Sequence, residues 1–178
     1  MSVENMHVGM MVGPGFEDLE FWAVYMRMQE ENARITVIGT EAETKYPSKS
    51  GGLAATSEIS AADALNEEFD AVLVPGGWAP DKIRRDRHII EIIRKAYINN
   101  KVLGFICHAG LVAASADIVK GKMCTGSMGI HDDMINAGAQ WIDEPALQDG
   151  NIVWGRVVAD IPYYNRLLVS VLAAYGER

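Results

Sequence analysis

Cysteine is scarce in this chain, with two in 178 residues, and Cys107 and Cys124 have neither the number nor the spacing of a disulfide framework or a zinc site. That scarcity points to a reducing compartment, and the cytoplasm is the expected location. Positive charge is also sparse: 16 Lys and Arg against 24 Asp and Glu leave a net charge of -8, and no basic stripe interrupts it. Nucleic-acid backbones and anionic lipid are therefore not expected partners. The longest uncharged run, residues 102–116, is shorter than the roughly twenty apolar residues of a membrane span. The stretch Met1 to Asn5 has no positive n-region, so no signal peptide is expected. His7, His88 and His131 are scattered without ligand spacing, and neither a metal nor a cofactor is expected. Trp78, Trp141 and Trp154 have no interleaved basic residues and read as core or interface.

What is present is an apolar fraction of 49% with nothing resembling a linker, so residues 1–178 read as one domain. Residues 6–12 predict a first strand ending in the turn Gly13-Pro14-Gly15. Dense apolar residues from Leu19 to Met28 predict a helix to about Glu31, with Asp18 and Glu20 at its positive end. Residues 34–39 predict a second strand, and the polar stretch 45–57 with Gly51-Gly52 is a hairpin or a loop excursion. Residues 70–74 lack alternation, as a parallel strand covered on both faces does, and end at Pro75-Gly76-Gly77. Residues 83–99 predict an amphipathic helix broken near Asp86. Residues 123–126, 140–142 and 151–154 read as strands, with Asp149-Gly150 a turn between the later ones, and 130–137 as a short helix ended by Gly138. Asp160-Ile161-Pro162 reads as an N-cap and first-turn proline opening a last helix to about Tyr175. Such alternation predicts an α/β fold with a mostly parallel sheet, its ligands gathered beyond the carboxyl ends of the strands.

The chemistry centres on residues 102–106, an apolar strand running into Cys107-His108, with the Ala-rich helix 111–116 behind it. Strand, sharp turn and helix make a nucleophile-elbow cysteine, and the helix end and nearby imidazole favour the thiolate. A lone cysteine in an apolar run is by default an inert core residue; the turn and the polar neighbour shift Cys107 toward a functional thiol. His108 is either a helix N-terminal residue bonded to a carbonyl or a proton acceptor oriented by another group. Glu17 is either a first-turn carboxylate or a partly buried protonated acid donating to the sulfur. Asp81 is by default an N-cap and Gly76-Gly77 a tight turn; functionally, the Gly77 and His108 N–H groups would hold an oxyanion. Cys124 reads as packed in its strand.

Four segments occur in the order and spacing of the ThiJ/PfpI superfamily: Phe16-Glu17-Asp18, Pro75-Gly76-Gly77-Trp78-Ala79-Pro80-Asp81, Ile106-Cys107-His108, and the stretch from Ile130 to Ala139. From first strand to last helix the chain resembles the PfpI-type intracellular protease/amidase branch of that class I glutamine amidotransferase-like group. The resemblance implies a flavodoxin-like three-layer sandwich with Cys107 as nucleophile, Glu17 as the acid at its sulfur and His108 as base. It places Gly76, Gly77, Trp78 and Ala109 around the oxyanion and substrate. It also implies a homo-oligomer, dimer or larger, with Asp81 reaching the His108 of a neighbouring subunit. Ala109-Gly110-Leu111, Trp78, Val158 and Asp81 depart from the usual pattern of that branch.

Two functions are consistent with this. One is a cysteine hydrolase acting on a peptide or small molecule, as a protease or amidase, or as a glyoxalase or protein deglycase on methylglyoxal adducts. The other is a non-catalytic oxidative-stress sensor or stress-response binding protein working through reversible oxidation of Cys107.

Overall fold

The apolar runs that carry no alternation become the middle of a seven-stranded sheet in the computed structural model, which describes residues 3–176. Met1 and Ser2 of the stretch expected to lack a signal peptide, and the last two residues of the expected 1–178 domain, lie outside the described residues. The elements begin with β1 (His7–Met11), α1 (Asp18–Glu30), β2 (Arg34–Gly39), β3 (Lys45–Tyr46), β4 (Ala55–Thr56), β5 (Ile59–Ser60) and α2 (Ala61–Ala64). Next come β6 (Ala71–Val74), α3 (Ala79–Ile83), α4 (Arg87–Ile98), β7 (Val102–Ile106), α5 (Gly110–Ser115) and β8 (Met123–Cys124). The chain closes with α6 (His131–Asn136), β9 (Gln140–Trp141), β10 (Ala146–Asp149), β11 (Ile152–Gly155) and α7 (Ile161–Tyr175).

The strand order is β10-β11-β7-β6-β1-β2-β5, all parallel except the antiparallel edge strand β10. Register is fixed across the centre by Met10 opposite Leu73, Leu73 opposite Gly104, and Phe105 opposite Trp154. Successive residues of one strand face opposite layers. Val72, Val74 and Phe105 pack with Ile89 and Ile93 of α4 and Val112 of α5. Leu73 and Ile106 pack on the other side with Phe21 and Val24 of α1 and Leu168 and Leu172 of α7. The result is a helix–sheet–helix sandwich, the flavodoxin-like α/β arrangement expected.

The break expected near Asp86 is a true gap between α3 and α4. Asp86 caps α4, accepting from His88 N at 2.7 Å and Ile89 N at 3.4 Å. Residues 45–57 contain a hairpin, β3 paired antiparallel with β4. Three expectations shift. Residues 123–124 and 140–141 pair with each other in a separate small sheet. The strand joined to β11 across Asp149-Gly150 is β10, whose Ala-Leu-Gln-Asp run has too little apolar content to register as a strand. Asp160 stands at the N-cap position of α7, but its carboxylate is taken by Arg156 at 2.8 Å rather than by the helix backbone.

The topology brings three loops together. After β1 the connection runs outward to β2, and after β6 it runs the other way to β7, so the crevice opens where the order reverses. Residues 15–17 and 76–78 are laced together there: Glu17 N donates to Gly76 O (3.1 Å) and Trp78 N to Gly15 O (2.8 Å). Gly77 takes φ +82°, and a Cβ on it would collide with the Gly15 carbonyl and Glu17 N, so only glycine fits this crossing.

Candidate active site

Cys107 leaves β7 with φ +61°, in the left-handed region that costs a non-glycine residue roughly 1–3 kcal/mol. The strain is held by neighbours on several sides. Ser127 N donates to the Cys107 carbonyl at 3.2 Å. The bare face of Gly76 lies where a Cβ would come within 2.8 Å of Cys107 Cβ and 3.1 Å of His108 N. The consequence is a half-buried thiol raised above the sheet, with the His108 and Gly77 N–H groups directed at its sulfur.

The acid at this sulfur is Glu20, and the expectation for Glu17 is corrected. Glu17 is the N-cap of α1, its Oε2 accepting from Glu20 N at 2.8 Å. Glu20 lies one turn further along and shares the inward face of α1 with Phe21, Val24 and Met28. It is 1% exposed; Oε2 accepts from Gly76 N at 2.7 Å, and Oε1 is buried without a hydrogen-bond partner. The Cys107 thiol interacts with this carboxyl. Burial, together with the charge of Glu17, pushes the Glu20 carboxyl up to about 7.

The sulfur does not match the simple expectation of a depressed thiol. Burial first, and then the charge and hydrogen bond of an ionised Glu20, push Cys107 up to about 12, while the two backbone N–H groups pull the other way. Glu20 and Cys107 therefore titrate as a pair. A proton on Glu20 removes the repulsion and turns the carboxyl into a donor toward the sulfur.

His108 follows directly, its Nδ1 3.3 Å from Cys107 Sγ. Its far edge lies against Gly129, where a Cβ would stand 3.0 Å from Nε2. Burial, with help from the positive charge of Lys49, lowers its pKa and keeps the ring neutral and able to accept a proton. These groups line a cleft of about 370 Å³ with Glu17, Lys49, Gly77, Trp78, Ser127, Val157, Val158 and Ala159. Trp78 is 58% exposed at the mouth, with Lys49 Nζ 5.8 Å from its ring centroid.

Cys107, His108, Gly77 and Trp78 are thus brought into one cleft. Gly76 and Ala109 are not substrate contacts: the Gly76 N–H is already given to Glu20, and Ala109 is wholly buried in the core beneath the turn. Asp81 is exposed on α3, paired with Arg85 at 2.6 Å and outside the cleft of its own chain. Glu20, Lys49 and Ser127 were missed. Glu20 had a signal, a carboxylate in the apolar stripe of an amphipathic helix; Lys49 and Ser127 sit in polar loops without one. Cys124 is fully buried, and burial pushes its thiol up to about 11. Among the described residues no cluster of three His, Cys, Asp or Glu is arranged to hold a metal ion, and no helix is long and apolar enough to cross a membrane.

Residues 6–171 match the sequence profile of the DJ-1/PfpI family. The chain is similar to "Deglycase PH1704" of Pyrococcus horikoshii, 35% identical over 157 residues that cover 88% of this chain and 93% of that one. "Deglycase PfpI" of Pyrococcus furiosus is 34% identical with the same coverage. Among solved structures, a two-domain protein from Anabaena variabilis with DJ-1/ThiJ/PfpI-like and ferritin-like domains superimposes with a TM-score of 0.92 at 31% identity. That match covers 95% of this chain and 48% of the Anabaena one. Drosophila melanogaster DJ-1beta shares the fold, with a TM-score of 0.86 at 18% identity, over 97% of this chain and 96% of its own.

Proposed function

Because the chain belongs to the DJ-1/PfpI family, we propose that it is a cysteine-dependent deglycase, removing α-oxoaldehyde adducts such as those of methylglyoxal from amines. The observation that carries this is Cys107 on its left-handed turn, with a buried acid of raised pKa, a neutral imidazole and two backbone N–H groups all at the sulfur.

In the reactive form the pair's proton sits on Glu20 and the sulfur is a thiolate held by the Gly77 and His108 N–H groups. Sulfur bonds to the adduct carbon that carries the amine. The C–N bond breaks, and the amine leaves with the proton that Glu20 held, relayed through His108, which is neutral before and after. His108 then moves a proton from that carbon to its neighbour, oxidising the first and reducing the second, so no external oxidant is required. Water hydrolyses the resulting thioester, releasing the α-hydroxy acid and restoring the thiol. Adduct plus water thus becomes amine plus hydroxy acid.

The same reading includes a homo-oligomer, dimer or larger, in which the exposed carboxylate of Asp81 orients a neighbouring subunit's imidazole. Two free cysteines are in keeping with work in the cytoplasm. The test is release of lactate and free amine from methylglyoxal-treated Nα-acetyl-lysine, followed by chromatography. Wild type is expected to turn over and Cys107→Ser to lose the activity at least 10³-fold, within the span of an essential nucleophile. Turnover surviving in Cys107→Ser would remove the mechanism.

A further inference from the structure

The cleft holds a cation that the proposed chemistry does not use. Lys49 sits on a loop stitched to the site: its N–H donates to Phe16 O at 2.8 Å, and Asp18 Oδ2 accepts from Ser50 N at 3.1 Å. Its ammonium group is braced on Trp78, whose own placement needs Gly15, since a Cβ there would stand 3.1 Å from the Trp78 side chain. The charge reaches the chemistry, acting on both Glu20 and His108. Glu17, also on the cleft wall, has its carboxylate turned to the α1 N-terminus, where the helix end offsets it. The remaining wall, Val157, Val158 and Ala159, carries no charge.

We propose that Lys49 is a specificity-determining residue that selects anionic substrates, α-oxoaldehyde compounds carrying a carboxylate beside the dicarbonyl unit, over neutral or cationic ones. This rests on Cys107 being the nucleophile. Lys49 and Cys107 line the same cleft, so a substrate carboxylate near the carbon being attacked shares that cleft with the ammonium group, which lies over the Trp78 ring. α-Oxoaldehydes that bear a carboxylate, and their amine adducts, are the matching chemical class.

The test separates charge preference from turnover by using two alkylating agents that differ in charge, iodoacetate and iodoacetamide. In each the sulfur forms the new S–C bond and iodide leaves with the electron pair of the C–I bond. Any change in thiolate population or folding acts on both rates and cancels in their ratio. Lys49→Met is expected to lower the iodoacetate/iodoacetamide rate ratio at Cys107 by about tenfold, the size of one charge acting across a partly solvated cleft. Lys49→Arg is expected to restore it, and in wild type the ratio is expected to fall with salt. A ratio unchanged within about twofold in Lys49→Met, with both reagents reacting, would overturn the assignment of Lys49 and leave Cys107 as nucleophile. No reaction of either reagent with Cys107 up to pH 9 would overturn the nucleophile, and this inference with it.

Discussion

Replacing Glu20 by glutamine keeps the size of the side chain and an oxygen for the Gly76 N–H, and removes the ionisation. The native carboxyl titrates near 7 against 4.5 in an ordinary setting, so the folded protein holds a proton that the unfolded chain gives up over that interval. A raised carboxyl pKa contributes stability that is complete below the unfolded value and lost as pH rises through the folded one. At ~1.36 kcal/mol for each pH unit, wild type loses ~3 kcal/mol from this residue across the interval, and Glu20→Gln loses none of it. Urea denaturation of both proteins under reducing conditions, at half-unit steps from pH 4 to pH 8, reads this directly. The stability difference, variant minus wild type, is expected to climb from about pH 4.5 to about pH 7 and then level off. A difference that is flat across the series would show that Glu20 is not a buried carboxyl of raised pKa, and the reasoning about the pair would fail with it.

Other perturbations follow from the same contacts. Gly76→Ala drives a methyl into Glu20, Cys107 and His108 N, and is expected to cost ~1–3 kcal/mol in urea denaturation and to slow Cys107 alkylation. Phe105→Ala empties a fully buried position between β7 and α4 and is expected to cost ~3–5 kcal/mol by the same measurement. Asp86→Ala removes the α4 cap for ~1 kcal/mol without changing Cys107 reactivity. Native protein treated with mild peroxide or a thiol reagent is expected to be modified at Cys107 and spared at Cys124, as mass spectrometry of the peptides would show; preferential modification of Cys124 would contradict the burial described here.

Much of the fold was legible because parallel strands buried on both faces must be apolar without alternation. Residues 70–74 and 102–106 announce themselves this way, and the turns after them locate the crevice. Asp86 was readable as a break because a short acidic side chain between charged, non-periodic residues suits a cap better than a helix interior. The edge of the sheet was not readable: β10 has one neighbour in the sheet, its residues are partly exposed, and its composition is that of a loop. The site was half legible. A cysteine after an apolar strand marks the elbow, but two glutamates three residues apart look alike in one dimension. Glu17 is the nearer to the turn, and being nearer is what commits it to capping the helix. Glu20 reaches the sulfur because it stands on the inward stripe of α1, a relation that appears only once the helix has a direction relative to the sheet. Lys49 comes from a hairpin whose placement depends on backbone pairing with residues 15–16, which no local pattern encodes.

The proposed function requires that near neutral pH the proton shared by Glu20 and Cys107 reside on the carboxyl, leaving sulfur ionised among the Gly77 and His108 N–H groups. Thiolate absorbance near 240 nm, taken as the difference between wild type and Cys107→Ser across a pH titration, measures that population. A proton held on Glu20 predicts a thiolate signal already present at neutral pH, below the ordinary thiol range of about 8.5. A sulfur held protonated to about pH 12, where burial and an ionised Glu20 push it, would show that the shared proton stays on sulfur and would contradict the proposed reactive form.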